Sequence, residues 1–402
     1  MWEELASYRN HFLQLEVDNM KKETLNNFVK TEFQQKQKRR CKCVCPNDDD
    51  CESSTYFRDH ASLAYGFICM EKLMEKMCSD DPLEKWQNVN SLSEVLLNPW
   101  QAQRAITEYG VVKKCKNMFL RIQLGSHKEN YHETRQLMKI FYLISNYLNG
   151  AKQIVSHVSL IDEFYAIIYN RESTYLTACK ILRNLTEKTE VLLHLLENTQ
   201  AFRKLAKIFS ADPCTPFYPN PLWEHLCHFL EIDPKLGINY GYFELLVERI
   251  QSRRLFYHQI CMKCFAMLLR CAEGEQLFDK VDGIKMLYNI IADDAKKLDN
   301  YEFVILALMH GLVSKFALWR CREFTDLPKR IITLAKCENK NLQLECLKVL
   351  RLMSAMPCVK DYIKSGCMSE IMSIKCLNEQ NECIRDSLAE WLNREICDSS
   401  EM

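Results

Sequence analysis

The stretch from Asn339 to Leu377 reads NKNLQLECLKVLRLMSAMPCVKDYIKSGCMSEIMSIKCL. A polar turn leads into a segment with Leu344, Leu347, Leu350 and Met353 in steps of three and Cys346, Val349 and Leu352 on the flanks, the period of an amphipathic helix. Pro357 breaks it. A short helix over Val359 to Ile363 follows and runs into Lys364-Ser365-Gly366, where glycine is expected to take the left-handed angles that end a helix, and a third helix is predicted from about Met368.

The same local frame occurs elsewhere. WQAQRAITEYG (100–110) and EQLFDKVDG (275–283) each read as a short helix closed by a glycine and followed by a new helix, like CVKDYIKSG (358–366). Longer helices recur as RQLMKIFYLISNYL (135–148), LTACKILRNLTE (176–187), CMKCFAMLLRCA (261–272) and LECLKVLRLMSA (344–355). Weaker copies are LWEHLCHFLEI (222–232) and FVILALMHGLV (303–313). Their spacing, roughly 40 residues, is that of helical-pair or helical-triplet solenoids. Such a unit cannot bury its apolar face alone, so neighbours stack. The prolines and glycines interrupt any sustained heptad and exclude a coiled coil.

Composition agrees. With 48% apolar residues over 402 positions the chain has ample core, and 10 glycines with 10 prolines suit long helices better than phosphate-cradling loops. Acidic and basic residues balance at 53 each, so no net field draws the whole chain to nucleic acid or membrane. The start, MWEELASYRN, has no apolar stretch of signal-peptide length, and no run of about 18 apolar residues occurs, so no membrane span is expected. The 21 cysteines are accordingly expected as free thiols in a reducing compartment, cytosol or nucleus, most of them on apolar helical faces.

Four regions are predicted: an amphipathic helix or cap over 1–35, with Trp2, Leu5, Phe12, Leu15, Leu25, Phe28 and Val29 on one face; an exposed basic and cysteine-rich linker over 36–54; a helical repeat domain over 55–397; and a tail over 398–402. At the start of the third, a helix capped by Ser53 or Ser54 is predicted to run to about Cys78, and Leu92 to Leu97 reads as short.

The order of short helix, glycine, second helix and long third helix, and above all LTACKILRNLT with its closing Asn-Leu, resembles the armadillo-repeat family and more loosely the HEAT repeats. The resemblance implies an all-α, right-handed superhelical solenoid whose third helices line a concave groove. Laying the long helices over one another puts Lys139, Lys180, Lys263 and Lys348 in one column, with Tyr142, Arg183, Ala266 and Arg351 one turn later. On the concave wall of such a stack Lys139, Lys180, Arg183, Asn184, Lys263, Lys348 and Arg351 would meet a protein partner, with an extended acidic segment the complementary choice; solvated lysines on amphipathic helices are the plainer reading. The nuclear-import adaptors of the family resemble this column with tryptophan where lysine stands here, followed four residues later by asparagine, kept only as Asn184. Lysines would repel their basic cargo, and the catenin-like scaffolds, with basic grooves for acidic tails, are nearer in kind.

Motifs for chemistry are missing: there is no GxGxxG, no GxxxxGK[ST], no HExxH and no GxSxG. No catalytic residue is assigned, and the chain is not expected to be an enzyme. His225 and His228 share a helical face but lack third and fourth ligands, and Cys261 and Cys264 form a CxxC inside a helix of core period, so packing is expected of both pairs. Cys41, Cys43, Cys45 and Cys51 are numerous enough for zinc, the only cofactor considered, although their spacing departs from CxxC knuckles. KQKRR (36–40) before them resembles a nuclear-import signal, and with the cysteines it carries the alternative reading, a nuclear factor associated with nucleic acid or chromatin.

Overall fold

The computed structural model describes residues 67–77, 81–124, 131–211, 219–251, 258–293 and 301–394. All lie within one compact unit, 64–402; the other unit, 1–63, lies outside the described residues, and with it the predicted N-terminal helix or cap and the 36–54 linker. Among the described residues the regular structure is helical throughout.

Two helices open the unit, α1 (Phe67–Lys76) and α2 (Pro82–Val95). Seven triplets follow. They are α3 (Pro99–Thr107), α4 (Val111–Leu124) and α5 (Tyr131–Ser145); α6 (Leu148–Val155), α7 (Val158–Tyr169) and α8 (Tyr175–Thr186); α9 (Thr189–Asn198), α10 (Ala201–Ala211) and α11 (Asn220–Ile232); α12 (Pro234–Asn239), α13 (Tyr242–Gln251) and α14 (His258–Leu268); α15 (Ala272–Lys280), α16 (Gly283–Ala292) and α17 (Glu302–Gly311); α18 (Lys315–Arg320), α19 (Leu327–Ala335) and α20 (Lys340–Met353); and α21 (Pro357–Gly366), α22 (Met368–Met372) and α23 (Glu379–Asn393). A single 3₁₀ turn, Cys321–Glu323, extends α18.

Each third helix packs on the next, from α2 through α5, α8, α11, α14, α17 and α20 to α23, which makes one continuous layer. First helices also stack, α3 on α6, α6 on α9 and α12 on α15. The core runs unbroken between these layers: Phe119, Phe141 and Phe164, one from each of three helices in two successive triplets, close into a cluster with ring centroids 5.7 to 6.1 Å apart.

The breaks in the apolar pattern turn out to be beginnings. Pro99, Pro234 and Pro357 occupy the first turn of α3, α12 and α21, where a missing N–H costs nothing. Asn98, Asp233, Ser314, Asn339 and Asn378 cap α3, α12, α18, α20 and α23 by accepting from backbone N–H groups. Pro82 likewise opens a helix. The segment predicted as a short Leu92–Leu97 helix is therefore the end of α2, a full third helix whose front half, PLEKWQNVN, is too polar to show its period.

The shared glycine frame is real as a register, since 100–110, 275–283 and 358–366 all mark the first helix of a triplet, but its mechanism needs correcting. Only Gly110 takes the left-handed conformation (φ +58°). At the second site Asp282 takes it (φ +51°), and its carboxylate receives two hydrogen bonds from Arg320 of α18, at 3.2 and 2.8 Å. Gly283 is required there for another reason: a Cβ would stand 2.2 Å from the ring of Phe278. Gly366 ends α21 in ordinary helical backbone with open space around it.

Candidate partner-binding face

The third helices have one buried face, and the opposite face carries the predicted column. Lys139, Lys180, Lys263 and Lys348 stand at equivalent places on α5, α8, α14 and α20, each just ahead of a buried pair: Ile140-Phe141, Ile181-Leu182, Cys264-Phe265 and Val349-Leu350. Arg183 and Arg351 follow one turn later on the same side. The four lysines hold equivalent places on four third helices; at the same place α11 carries Glu224 and α17 carries Leu306.

Its charge is largely compensated from within. Lys139 pairs with Glu94 of the preceding third helix at 2.6 Å. Arg183 pairs with Glu187 on its own helix at 2.7 Å and contacts Glu224 of α11 at 2.6 Å. Lys263 reaches back to Glu231 at the end of α11 at 2.9 Å, and Lys348 pairs with Glu345 at 2.8 Å. Burial alone would lower the Lys263 ammonium; the Cys227 thiol and the Glu231 carboxylate outweigh it and hold its pKa above the ordinary lysine value. Half-exposed pairs of this kind contribute only about 0–1 kcal/mol each. Their larger effect is on the field, because a bridged lysine attracts an incoming acid less than an open one.

Two cations escape this pairing. Lys180 is exposed and has no ion pair among the described residues, and Arg351 donates through Nη1 to a neutral acceptor, Ser387 Oγ, at 2.9 Å.

Asn184 is a bolt between repeats. It is 5% exposed, and its Nδ2 donates to Ser145 Oγ and Asn146 Oδ1 of the preceding triplet, both at 3.0 Å. Laying LCHFL over LRNLT places His228 where the next copy of this asparagine would be. His228 Nδ1 lies 3.0 Å from Thr186 Oγ1. His225, one turn earlier and fully buried, has both ring nitrogens engaged: Nε2 lies 2.8 Å from the Tyr165 hydroxyl and Nδ1 lies 3.2 Å from Thr186 Oγ1. Burial, reinforced by His228, drives the His225 pKa down to about 3, so the imidazole is a neutral cross-link between α7, α8 and α11.

The CxxC thiols are core. Cys261 and Cys264 are 1% and 0% exposed, and burial pushes Cys261 up to about 12 and Cys264 well above the usual thiol range, so both are held as neutral thiols near pH 7. Among the described residues no group of three or more His, Cys, Asp or Glu side chains is placed to hold a metal ion. Cys41, Cys43, Cys45 and Cys51 lie outside the described residues. Among the described residues, too, no single helix is long and apolar enough to cross a membrane.

Sequence reasoning missed the carboxylates that answer the column, Glu94, Glu224 and Glu231. They belong to neighbouring helices, and only the stacking register shows which lysine each meets. His228 was within reach of the same overlay that picked out Asn184.

Helix order, the stacked first helices and the continuous row of third helices define an armadillo-like, all-α solenoid, right-handed and superhelical. No family model and no curated protein sequence matches the chain. Solved structures do. An engineered protein superimposes with a TM-score of 0.63 at 14% identity, over 80% of this chain and 77% of its own. A chain from a structure concerning the phosphorylation switch that controls the interaction between cadherin and beta-catenin gives 0.60 at 15% identity, over 86% and 72%. A designed armadillo repeat protein in complex with the peptide (KR)4 is a looser match, at 0.48 and 13% identity over 58% of this chain and 99% of its own. At these identities the likeness is one of fold.

Proposed function

We propose that the chain is a non-catalytic scaffold that holds protein segments along the inner face formed by its third helices, in a cytosolic or nuclear setting. The observation that carries this reading is the row itself: eight stacked helices present one aligned side over the whole unit, and that side bears long polar side chains with two uncompensated cations, Lys180 and Arg351. A continuous shelf of this kind suits a partner bound over many small contacts. Acidic segments are the favoured class. The preference is set by those two cations more than by the whole lysine column, since Lys139, Lys263 and Lys348 already hold carboxylates.

The alternative, a nuclear factor associated with nucleic acid through the basic run near residue 40, gains nothing from the described unit, where the row of cations is interleaved with Glu94, Glu187, Glu224, Glu231 and Glu345 and so resembles no phosphate track.

Selection of a displayed random peptide library on the full chain tests the proposal. Enriched peptides are expected to be acidic, and Lys180→Glu with Arg351→Glu is expected to weaken them by about tenfold or more, each tenfold being ~1.4 kcal/mol. Recovery of peptides with no charge bias, or affinities unmoved by the double reversal, would overturn the groove assignment.

A further inference from the structure

One third helix breaks the polar rule of the row. In α17 the places held by Lys180 and Arg183 in α8, and by Lys348 and Arg351 in α20, are Leu306 and Met309, and Phe303 and Val313 extend the same side by a turn in each direction. Its other face, Val304, Ile305, Ala307 and Leu308, is fully packed in the core. Apart from Glu302 in its first turn and His310 in its last, the helix is therefore apolar all round, a composition that normally demands burial on every side. Here Phe303, Leu306 and Met309 are only half-buried and Val313 is 39% exposed.

The apolar floor spreads onto both neighbours, with Ile260 and Met267 on α14 and Leu352 on α20. From Phe303 to Val313 the stripe is about 15 Å long at 1.5 Å per residue. Its borders are basic. Lys263 and Arg270 stand toward α14 and the loop after it, Lys348 and Arg351 toward α20. Of the acids nearby, Glu231 takes Lys263 and Glu345 takes Lys348, while Glu302, at the start of α17, accepts only from the neutral Asn339 Nδ2 at 3.4 Å. Arg351 has no carboxylate among the described residues; the contacts of the Arg270 guanidinium include the Glu231 carbonyl at 3.3 Å and the Met267 sulfur at 3.6 Å.

We propose that α17 seats an amphipathic helix supplied by a protein partner, with apolar anchors on Phe303, Leu306, Met309 and Val313 and acidic residues along the edge that faces α20. The proposal rests on reading the third-helix face as the binding face, and adds a place, a conformation and a side-chain pattern. Conformation follows from direction. The stripe runs along α17 and hence across the groove; an extended segment following the groove would cross it once and cover one or two anchors, whereas a helix lying along α17 meets the whole row by ridge-into-groove packing at i, i+3, i+4 and i+7. Chemistry follows from the borders, since acids on the edge of such a helix that faces α20 would meet Arg351, which holds no carboxylate among the described residues, whereas Lys263 and Lys348 already hold theirs.

The test uses the full chain and three fluorescent peptides of about 15 residues, roughly four helical turns: a helix former with leucine at i, i+3, i+4 and i+7 and glutamate on the flanks, the same peptide with lysine for glutamate, and an acidic peptide without leucine. The first is expected to bind at least about tenfold tighter than either of the others. Leu306→Glu and Met309→Glu, separately, are expected to weaken it by about tenfold or more while leaving the leucine-free peptide unaffected. A photoreactive leucine in the first peptide is expected to cross-link to residues 301–313. Equal binding of the first two peptides, or cross-links elsewhere, would overturn the proposal. If either variant fails to fold, the wild-type peptide ranking and the cross-link site decide. Should the leucine-free acidic peptide bind best and respond to Lys180→Glu, the groove reading stands and this inference falls. Composition alone would also fit a lipid surface for α17 with Lys315–Glu323, a pair bent by 111°; sedimentation of the chain with phosphatidylcholine–phosphatidylserine vesicles, lost in Leu306→Glu, would likewise overturn a protein partner.

Discussion

Phe278→Ala is expected to destabilise the repeat unit by about 3–5 kcal/mol, the range for deleting a ring from a core that cannot collapse. Phe278 lies on α15, fully buried, and its ring is pressed onto backbone: a Cβ added at Gly283 would stand 2.2 Å from it, and one added at Gly311 2.5 Å. Those glycines belong to α16 and α17, so one aromatic side chain locks all three helices of its triplet, and Phe265 of the preceding triplet sits 6.2 Å away between ring centroids. Backbone cannot swing in to fill the space as a side chain would, which puts the cost toward the upper end of the range. Denaturant titration of the full chain reads the change, with hydrogen exchange reporting whether α14 to α17 open first, as a nearest-neighbour solenoid should. A loss below about 1 kcal/mol, the size of an ordinary surface substitution effect, would contradict the packing. Gly311→Ala is expected to be damaging from the opposite direction, by overpacking the same ring.

Gln343→Leu is the second large effect. Gln343 lies in α20, fully buried, and uses its amide completely: Nε2 donates to Ala335 O at 2.9 Å and Lys375 O at 3.1 Å, while Oε1 accepts from Leu377 N at 3.0 Å and Asn381 Nδ2 at 2.7 Å. It ties the end of α19 and the chain between α22 and α23 to α20 through one side chain. Leucine is close in size but strands Ala335 O, Lys375 O and Leu377 N and removes one of the two acceptors of Asn381 Nδ2; at about 1–3 kcal/mol for each buried group left unsatisfied the loss is expected to reach roughly 3 kcal/mol or more. Asn381→Leu is expected to cost less, because the Asn381 Oδ1 already has no partner and its Nδ2 serves only Gln343 and Lys340 O. Hydrogen exchange is expected to show the last triplet, α21 to α23, opening ahead of the rest in Gln343→Leu. Uniform loss of protection across the unit, or a larger effect at Asn381, would contradict this account of the C-terminal joint.

The architecture was legible because its signals are local. Leu344, Leu347, Leu350 and Met353 declare their helix by spacing alone, and Pro357 marks the next helix start whatever it packs on. What stayed hidden depends on contacts far apart in sequence. The polar front of α2 shows its place only against α5, and Gly283 looks like a helix stop until Phe278 is found lying on it. The equivalent places of Lys139, Lys180, Lys263 and Lys348 followed from an overlay of helices; that Glu94, Glu224 and Glu231 pair with cations of adjacent triplets is a property of stacking, which no overlay contains. Asn184 shows the same limit, since its amide is turned toward Ser145 and Asn146. The stripe on α17 was visible as FVILALMHGLV, yet as a sequence it reads only as a core helix.

The central claim is that partners are held on the third-helix face. Hydrogen exchange of the full chain, with and without a saturating peptide taken from the library selection, tests it most directly. Protection confined to third helices among α5, α8, α11, α14, α17 and α20, and lost together with affinity in Lys180→Glu/Arg351→Glu, is the predicted result. Protection centred on second helices such as α7, α10 and α13, with the third helices unchanged, would contradict it.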